Sequence, residues 1–494
     1  MTLQPPPRQA PQDPPTAMPA AALVSRVSRS ARWALLESVI SAGASTLTVV
    51  VLARLLGAPE FGAAGIAMAT AAIIQALLLG GMPDAVARAR SVHTAHTDAA
   101  FWAMTALGGV MTLLCAAVGA GLALSGQARL GGLVATQGLA GIAIGAAVVP
   151  TGLLLRKLRT RALVGRTAWS KFAGLVVSVA LALAGTGAWA VVIGGVFAQF
   201  AATAQLLATM RRPRWRWRDP QLRETLRVGL VSGTQASIGT LTTRGFLLAF
   251  GAVYGLHAVG IFNFALRLVE EGGGLVITTL RRVAVSAFAA ARRGGADLGR
   301  LFERGTGIIA YLAAPLFLGA AAVAGDAVPL VFGAKWLEAI ATVQMMLVIW
   351  LVRALRMLVN ATMVVEGRQR AMVGFAAVGL VATALAFAAS LPFGIGWSTA
   401  SFAASLTGVA FGGRAFRHVS GIDVRGQIAP ALRPVGFALV MVAVIWTLGQ
   451  GPLAGLAIWL RLLVSVVAGA LVYAGLAWMF DRAGAQRALS ALRR

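Results

Sequence analysis

Acidic residues, cysteine, histidine and tyrosine are all scarce in this chain of 494 residues: it carries 16 Asp and Glu against 43 Lys and Arg, with one Cys, four His and three Tyr. With Cys115 alone, no intramolecular disulfide can form. The four histidines (His93, His96, His257 and His418) are scattered, whereas a metal centre gathers three or four ligands, so neither a metal nor another cofactor is expected. Charge of either sign is thin as well. Only 12% of residues are charged while 58% are hydrophobic, and a soluble chain carries about twice that charged fraction. An ordinary soluble domain is thereby excluded.

What is present is a series of apolar segments, each long enough for the roughly 20 residues that cross the hydrocarbon layer as helix. They run over 33–56, 61–83, 100–124, 129–153, 167–185, 188–210, 229–253, 257–280, 305–324, 339–365, 371–391, 395–416, 432–449 and 454–480. The reading is an all-α polytopic membrane protein of about 14 transmembrane helices. Basic residues outside the segments fall in every second gap; the exceptions are Arg129, at a segment's outer edge, and Lys335. Positive loops stay on the cytoplasmic side, so both termini are expected there. The same bias accounts for the net charge of +27 without nucleic acid, because cationic loops sit against anionic membrane lipids.

Five regions are expected: a cytoplasmic tail over 1–31, a six-helix lobe over 32–210, a basic linker over 211–228, a second six-helix lobe over 229–416, and two last helices with a basic tail over 417–494. The tail is rich in Pro, Ala and Gln and reads as disordered, not as a signal peptide. The linker carries Trp215 and Trp217 among its arginines, which suits the head-group zone. A weak repeat marks the two halves. Leu55–Ala67 (LLGAPEFGAAGIA) and Val253–Ala265 (VYGLHAVGIFNFA) share a Gly-x4-Gly frame, Gly57/Gly62 against Gly255/Gly260, at the outer turn after each half's first helix.

These motifs resemble those of a known family. Ala53–Gly62 (ARLLGAPEFG) is similar to the run that follows the first helix of polysaccharide flippases. Val259–Leu268 resembles that family's LGxYxxAxRL stretch, with Phe262 where Tyr is usual, and Val328–Trp336 (VPLVFGAKW) resembles its outer loop between the ninth and tenth helices. The resemblance is to the polysaccharide/oligosaccharide flippases of the multidrug/oligosaccharidyl-lipid/polysaccharide exporter superfamily. It implies two six-helix lobes around a cavity with two further helices behind, and no enzymatic activity. It also implies export of a polyprenyl-pyrophosphate-linked oligosaccharide across the bacterial inner membrane for surface or exopolysaccharide biosynthesis. Membrane lipids are the other expected partners, with a polysaccharide polymerase and export machinery beside them. A peptidoglycan lipid-precursor flippase or multidrug exporter is the alternative. A membrane polymerase or ligase would need a substantial outer loop, and the outer gaps are short, the longest being 325–338.

Ionisable groups deep in a membrane are costly and usually face a polar cavity or a partner. Guanidinium groups stay charged and grip phosphate oxygens as a fork. Arg244, Arg353 and Arg356 are therefore the expected head-group ligands, with Arg353 and Arg356 on one helix face and Asn360 extending it towards a sugar. Arg267 with Glu270 and Glu271 has the spacing of an ion pair, structural or coupling. Arg54, Lys171 and Arg461 lie nearer segment ends and read as structural. Gly80-Gly81 is expected to end the second helix and the triplet Gly272–Gly274 to interrupt the eighth, either as hinges or as small residues that allow close packing.

Overall fold

The computed structural model describes residues 40–494 apart from 90–92, 157–159, 209, 218, 294–296, 421–422, 452–454 and 494. The expected tail over 1–31 lies outside the described residues. Nineteen α-helices and no strand occur among them. The first half comprises α1 (Ile40–Leu55), α2 (Ala58–Leu79), α3 (Met82–Arg88), α4 (Thr94–Leu124), α5 (Ala128–Gly138), α6 (Ala140–Arg156), α7 (Thr160–Leu183) and α8 (Ala188–Ala208). The second comprises α9 (Leu222–Thr240), α10 (Phe246–Arg293), α11 (Leu298–Phe332), α12 (Ile340–Leu355), α13 (Met357–Val365), α14 (Gln369–Ser390), α15 (Ile395–Ser401) and α16 (Thr407–Ser420). After them come α17 (Val424–Gln450), α18 (Ile458–Phe480) and α19 (Arg482–Arg493).

Among the described residues, ten helical spans are long and apolar enough to cross a membrane, and Ile40–Leu55 and Thr167–Leu183 are shorter apolar helices. Helix occupies every one of the fourteen expected intervals, with three differences of detail. The long α10 is two arms reversed at Gly255, whose φ of 77° and ψ of −178° are open only to glycine. Phe246 and Phe250 before the turn pack on Phe262 after it, at ring separations of 5.2 and 5.4 Å. Second, α9 begins at Leu222, inside the expected linker: Thr225 is buried, so the segment's inward face is not visible in its average polarity. Third, the expected outer loop over 325–338 is mostly helix and 3₁₀ turn, reversed at Gly333 (φ 98°). The triplet Gly272–Gly274 continues α10 without a break, whereas Gly80-Gly81 does separate α2 from α3.

Lipid supplies no hydrophobic drive between helices, so close packing through small residues does the joining. The two repeat copies do this to each other. A Cβ at Gly62 would overlap the Leu256 carbonyl, and one at Gly260 would overlap the Ala58 carbonyl, so the outer turns of the two halves interlock backbone to backbone. The third motif completes the closure. Trp336 is buried, stacks on Phe264 at 4.0 Å, meets Phe61 edge-on at 5.3 Å, and donates from Nε1 to the Ala53 carbonyl at 2.9 Å. Arg54 donates to the carbonyls of Val331 and Leu330, satisfying two acceptors at the end of α11, while Lys335 returns a bond to the Arg54 carbonyl. Glu60 pairs with Arg129 at 2.6 Å and accepts the Ala188 amide, binding two further outer turns. At the opposite end Gly81 faces Gly229 and Gly233 with no room for a side chain, and Ser237 donates to the Ala76 carbonyl at 2.7 Å.

The linker is fastened to the start of α4. Arg211 bridges both oxygens of the buried Asp98 at 2.8 Å, Trp102 donates to the Arg214 carbonyl at 3.1 Å, and Trp215 packs on Trp102 at 4.3 Å while staying 69% exposed. His93 and His96 both meet Asp219, at 3.2 and 2.9 Å. Burial raises the Asp219 carboxyl, but hydrogen bonds from His96, the Gln221 amide and His93 outweigh it and hold the group below its usual range. A depressed carboxyl stabilises the fold above about pH 4 and loses that contribution as pH falls through its folded value. Protection of the amides across 211–217, corrected for intrinsic exchange, should therefore fall as pH drops below about 4, and by less in an Asp219→Asn variant.

Candidate functional site

The centre of the molecule is built from both halves. Between α9 and α10 the chain makes one π turn, Leu241–Gly245, a feature found mostly at functional positions, and it carries Arg244. Thr240, Thr242 and Thr243 return their hydroxyls to carbonyls four residues back, at 2.9–3.2 Å, so their polarity is spent inside the helix and only the arginine projects a charge. Its Nη2 donates to Glu270 Oε2 across the reversal at 2.9 Å. Both partners keep some exposure, 28% and 30%, inside a helical bundle.

The second arm of α10 places Arg267 within electrostatic range of Arg244, Glu270 and Glu271, and its Nη2 lies 3.1 Å from Met68 Sδ on α2 of the first half. Lys171, on α7, donates to the Ser41 carbonyl at 3.1 Å and to the Ser45 hydroxyl, and lies within electrostatic range of Glu271 and Arg267. Arg353 joins from α12 through Glu270. Among the described residues, four basic side chains, Lys171, Arg244, Arg267 and Arg353, thus stand within electrostatic range of two acidic ones, Glu270 and Glu271. An excess of positive charge that is half-buried and only partly hydrated attracts an anion more than a fully exposed surface charge does.

The sequence-derived ligands divide. Arg244 and Arg353 stand in this cluster with Arg267, Glu270 and Glu271, whereas Arg356 is turned away. Helix α12 ends at Leu355 and Arg356 takes φ −95°, ψ 2°, so Arg353 and Arg356 do not share one face. Arg356 Nη1 donates to Gln427 on α17 at 3.0 Å and its guanidinium fills the space beside Gly413. Asn360 is exposed on α13. Arg353 itself donates to Ser405 at 3.0 Å and lies over the rings of Trp350 and Phe402, at 4.5 and 5.4 Å. Arg461 pairs through two nitrogens with Asp326 of α11, so its removal would strand a carboxylate among membrane helices.

Sequence reasoning passed over Lys171 as structural, and did not consider Trp350, Phe402, Ser405 or Met68. Trp350 stands three residues before Arg353, a spacing that puts both on one helix face and was readable. Phe402, Ser405 and Met68 come from other helices, and no local pattern connects them to an arginine.

Comparison with known proteins follows the same lines. The inward closed conformation of the lipid II flippase MurJ superposes with a TM-score of 0.74 at 13% identity, covering 90% of this chain and 98% of that one. An inward-facing multidrug resistance MATE family transporter of the MOP superfamily gives 0.56 at 12% identity, covering 83% and 98%. The shared fold is that of these polytopic transporters. Among sequences, the lipopolysaccharide biosynthesis protein WzxC of Escherichia coli (strain K12) is 23% identical over 358 residues, 68% of this chain and 70% of WzxC. The succinoglycan biosynthesis transport protein ExoT of Rhizobium meliloti (strain 1021) is 23% identical over 319 residues, 63% of each chain. The sequence profile of the polysaccharide biosynthesis protein family matches residues 51–341, which is more than half of the chain and takes in all three motifs from Ala53 to Trp336. The chain belongs to the polysaccharide biosynthesis protein family.

Proposed function

We propose that this multi-pass membrane protein is a flippase that moves a polyprenyl-pyrophosphate-linked oligosaccharide from the inner to the outer leaflet of the bacterial inner membrane by alternating access, for surface or exopolysaccharide biosynthesis. The observation that carries the reading is the excess of basic over acidic side chains among the described residues at Lys171, Arg244, Arg267, Arg353, Glu270 and Glu271, drawn from both halves. A pyrophosphate head group is the part of such a lipid that cannot enter hydrocarbon unaided, and guanidinium forks replace its lost water. Arg244, Arg267 and Arg353 bind it in this reading, with Lys171 adding charge and Glu270 holding Arg244 in place until substrate arrives. Asn360 remains the proposed sugar-side contributor, whereas Arg356, expected from the sequence as a head-group ligand, is reassigned to a structural role because it is engaged with Gln427. Membrane helices in two six-helix lobes, with α17 and α18 behind them, provide fourteen crossings in this topology. A cationic drug would be repelled by the same surplus, which disfavours the multidrug alternative.

Deleting the gene should make lipid-linked oligosaccharide accumulate on the inner leaflet while surface polysaccharide disappears. Retained export, or a block in lipid II flipping instead, would overturn the substrate assignment. Orientation has its own check. In a Cys115-free background, single cysteines at Gln127 and Lys335, both exposed, should react with an impermeant maleimide from outside, whereas Arg214→Cys and Arg425→Cys should not. External labelling at Arg214→Cys or Arg425→Cys would reverse the orientation.

A further inference from the structure

Away from the central cluster, α11, α17 and α19 enclose a cavity of about 660 Å³ lined by Arg300, Arg304, Arg433 and Arg487, with Tyr311 and Asp481 among its other walls. Four arginines meet two carboxylates there, and one carboxylate is already committed. Asp481 accepts the Tyr311 hydroxyl at 2.7 Å and the Gly484 amide at 2.9 Å, capping α19 and pinning it to α11. The Tyr311 hydrogen bond is the first cause that holds the Asp481 carboxyl below its usual range, so it stays an acceptor and not a competing acid. The second carboxylate, Glu303, makes no ion pair among the described residues. Arg300 spends part of its charge on Asp297 at 3.3 Å, and Arg487 donates to the Ala483 carbonyl at 3.0 Å. Arg304 and Arg433 make no ion pair among the described residues, although both line the cavity.

The surroundings of the cavity are apolar in a way an aqueous anion site would not be. Beside Arg433 on α17, Ile428 and Leu432 are exposed, and at the end of α18 Met479 and Phe480 are exposed, Phe480 lying against Phe437 of α17 at 6.4 Å. Trp478 lies under the Arg482 guanidinium at 4.5 Å, a ring and a cation paired at the level where tryptophan and arginine favour the membrane interface. Anion-binding arginines in a recess, next to exposed aliphatic and aromatic surface at the basic ends of membrane helices, match both parts of a phospholipid.

We infer that the recess between α11, α17 and α19 binds the phosphate-bearing head group of an anionic membrane phospholipid, with its acyl chains along the exposed apolar face of α17 and the end of α18. Arg304 and Arg433 are the head-group ligands, and Arg300 and Arg487 set the field. The bound lipid is a fixed constituent distinct from the transported one, because the recess shares no residue with the central cluster. Its assignment to the inner leaflet rests on the orientation proposed above; the site itself does not.

The test uses the full-length protein in detergent and in nanodiscs. Phosphatidylglycerol is expected to remain bound in native mass spectrometry and to raise the melting temperature, where phosphatidylcholine does neither. An Arg304→Ala/Arg433→Ala variant should bind it at least about tenfold more weakly, the low end for losing two charge-assisted bonds because both side chains are exposed, while Arg223→Ala/Arg227→Ala in α9 should not differ from wild type. If the double alanine variant fails to fold, Gly307→Leu serves. A Cβ at that position meets only Pro430, at 3.8 Å, so the larger side chain fills the recess without removing charge, and it should weaken binding similarly. Equal phosphatidylglycerol binding by these variants and wild type overturns the proposal. So does inorganic phosphate stabilising the protein as well as the lipid does, which would make the recess a site for a soluble anion.

Discussion

Arg353→Lys is expected to fold, insert and transport poorly, with lipid-linked oligosaccharide retained on the inner leaflet. Lysine keeps the positive charge beside Glu270 but replaces a planar fork by a compact ammonium. It also gives up the broad stacking of guanidinium over Trp350 and Phe402 that now sets the direction of Arg353. Losing one charge-assisted bond to phosphate corresponds to roughly 1.5–3 kcal/mol, a fall of about ten- to a hundredfold in transport. Arg353→Ala should be worse still, and Arg356→Ala should act mainly through stability, since Arg356 is engaged with Gln427. Full transport by the lysine variant would mean that a diffuse field suffices. Transport by the alanine variant would remove Arg353 from the site and leave Arg244 and Arg267 to carry it.

The second large effect concerns the Arg244–Glu270 pair. Arg244→Ala removes a cation from the cluster and strands Glu270 in a bundle that repels a bare carboxylate, so transport should be lost and thermal stability lowered by about 3–5 kcal/mol if the pair is fully desolvated, and by less in proportion to its partial exposure. Exchanging the two, Arg244→Glu with Glu270→Arg, restores the bridge with unchanged net charge. The exchange should recover stability, read as melting temperature and membrane abundance, without recovering transport, because the guanidinium now stands on the wrong helix. Recovery of both would show that Arg244 only holds the reversal at Gly255 together. Recovery of neither would mean that the two side chains cannot trade places, and Arg244→Lys, judged against Arg353→Lys, then separates charge from geometry.

Much of this was readable in one dimension because a membrane imposes a length on every crossing and a penalty on every buried charge. Those two rules were enough to place fourteen helical intervals and to single out Arg244, Arg267, Arg353 and Arg356 by depth. They failed where sequence polarity and burial part company. The basic stretch before 229 looked like a loop, yet its Thr225 is buried and Leu222–Thr240 is helical. The triplet Gly272–Gly274 looked like a break, yet α10 runs through it, because glycine in a membrane helix permits close approach as readily as it permits bending. Arg356 looked like the companion of Arg353, since three residues on an unbroken helix bring two side chains to one face. One non-helical residue between α12 and α13 was sufficient to separate them.

The chain's apolar periodicity, its charge alternation and its three motifs determined by themselves that it is an all-α membrane protein of the polysaccharide biosynthesis family, for these are matters of solvent and local order. What the motifs are for was decided only in three dimensions. Gly62 and Gly260 are 198 positions apart and close on each other's backbones, while Trp336 seats against Phe61, Phe264 and the Ala53 carbonyl. The positive centre is likewise assembled from α7, α9–α10 and α12, with Met68 of α2 against Arg267. An isolated helix can report that an arginine is buried, but not which charges stand around it. Whether a buried charge is balanced or in surplus depends on neighbours that only packing brings within a few ångströms, and that balance is what an anionic cargo would meet.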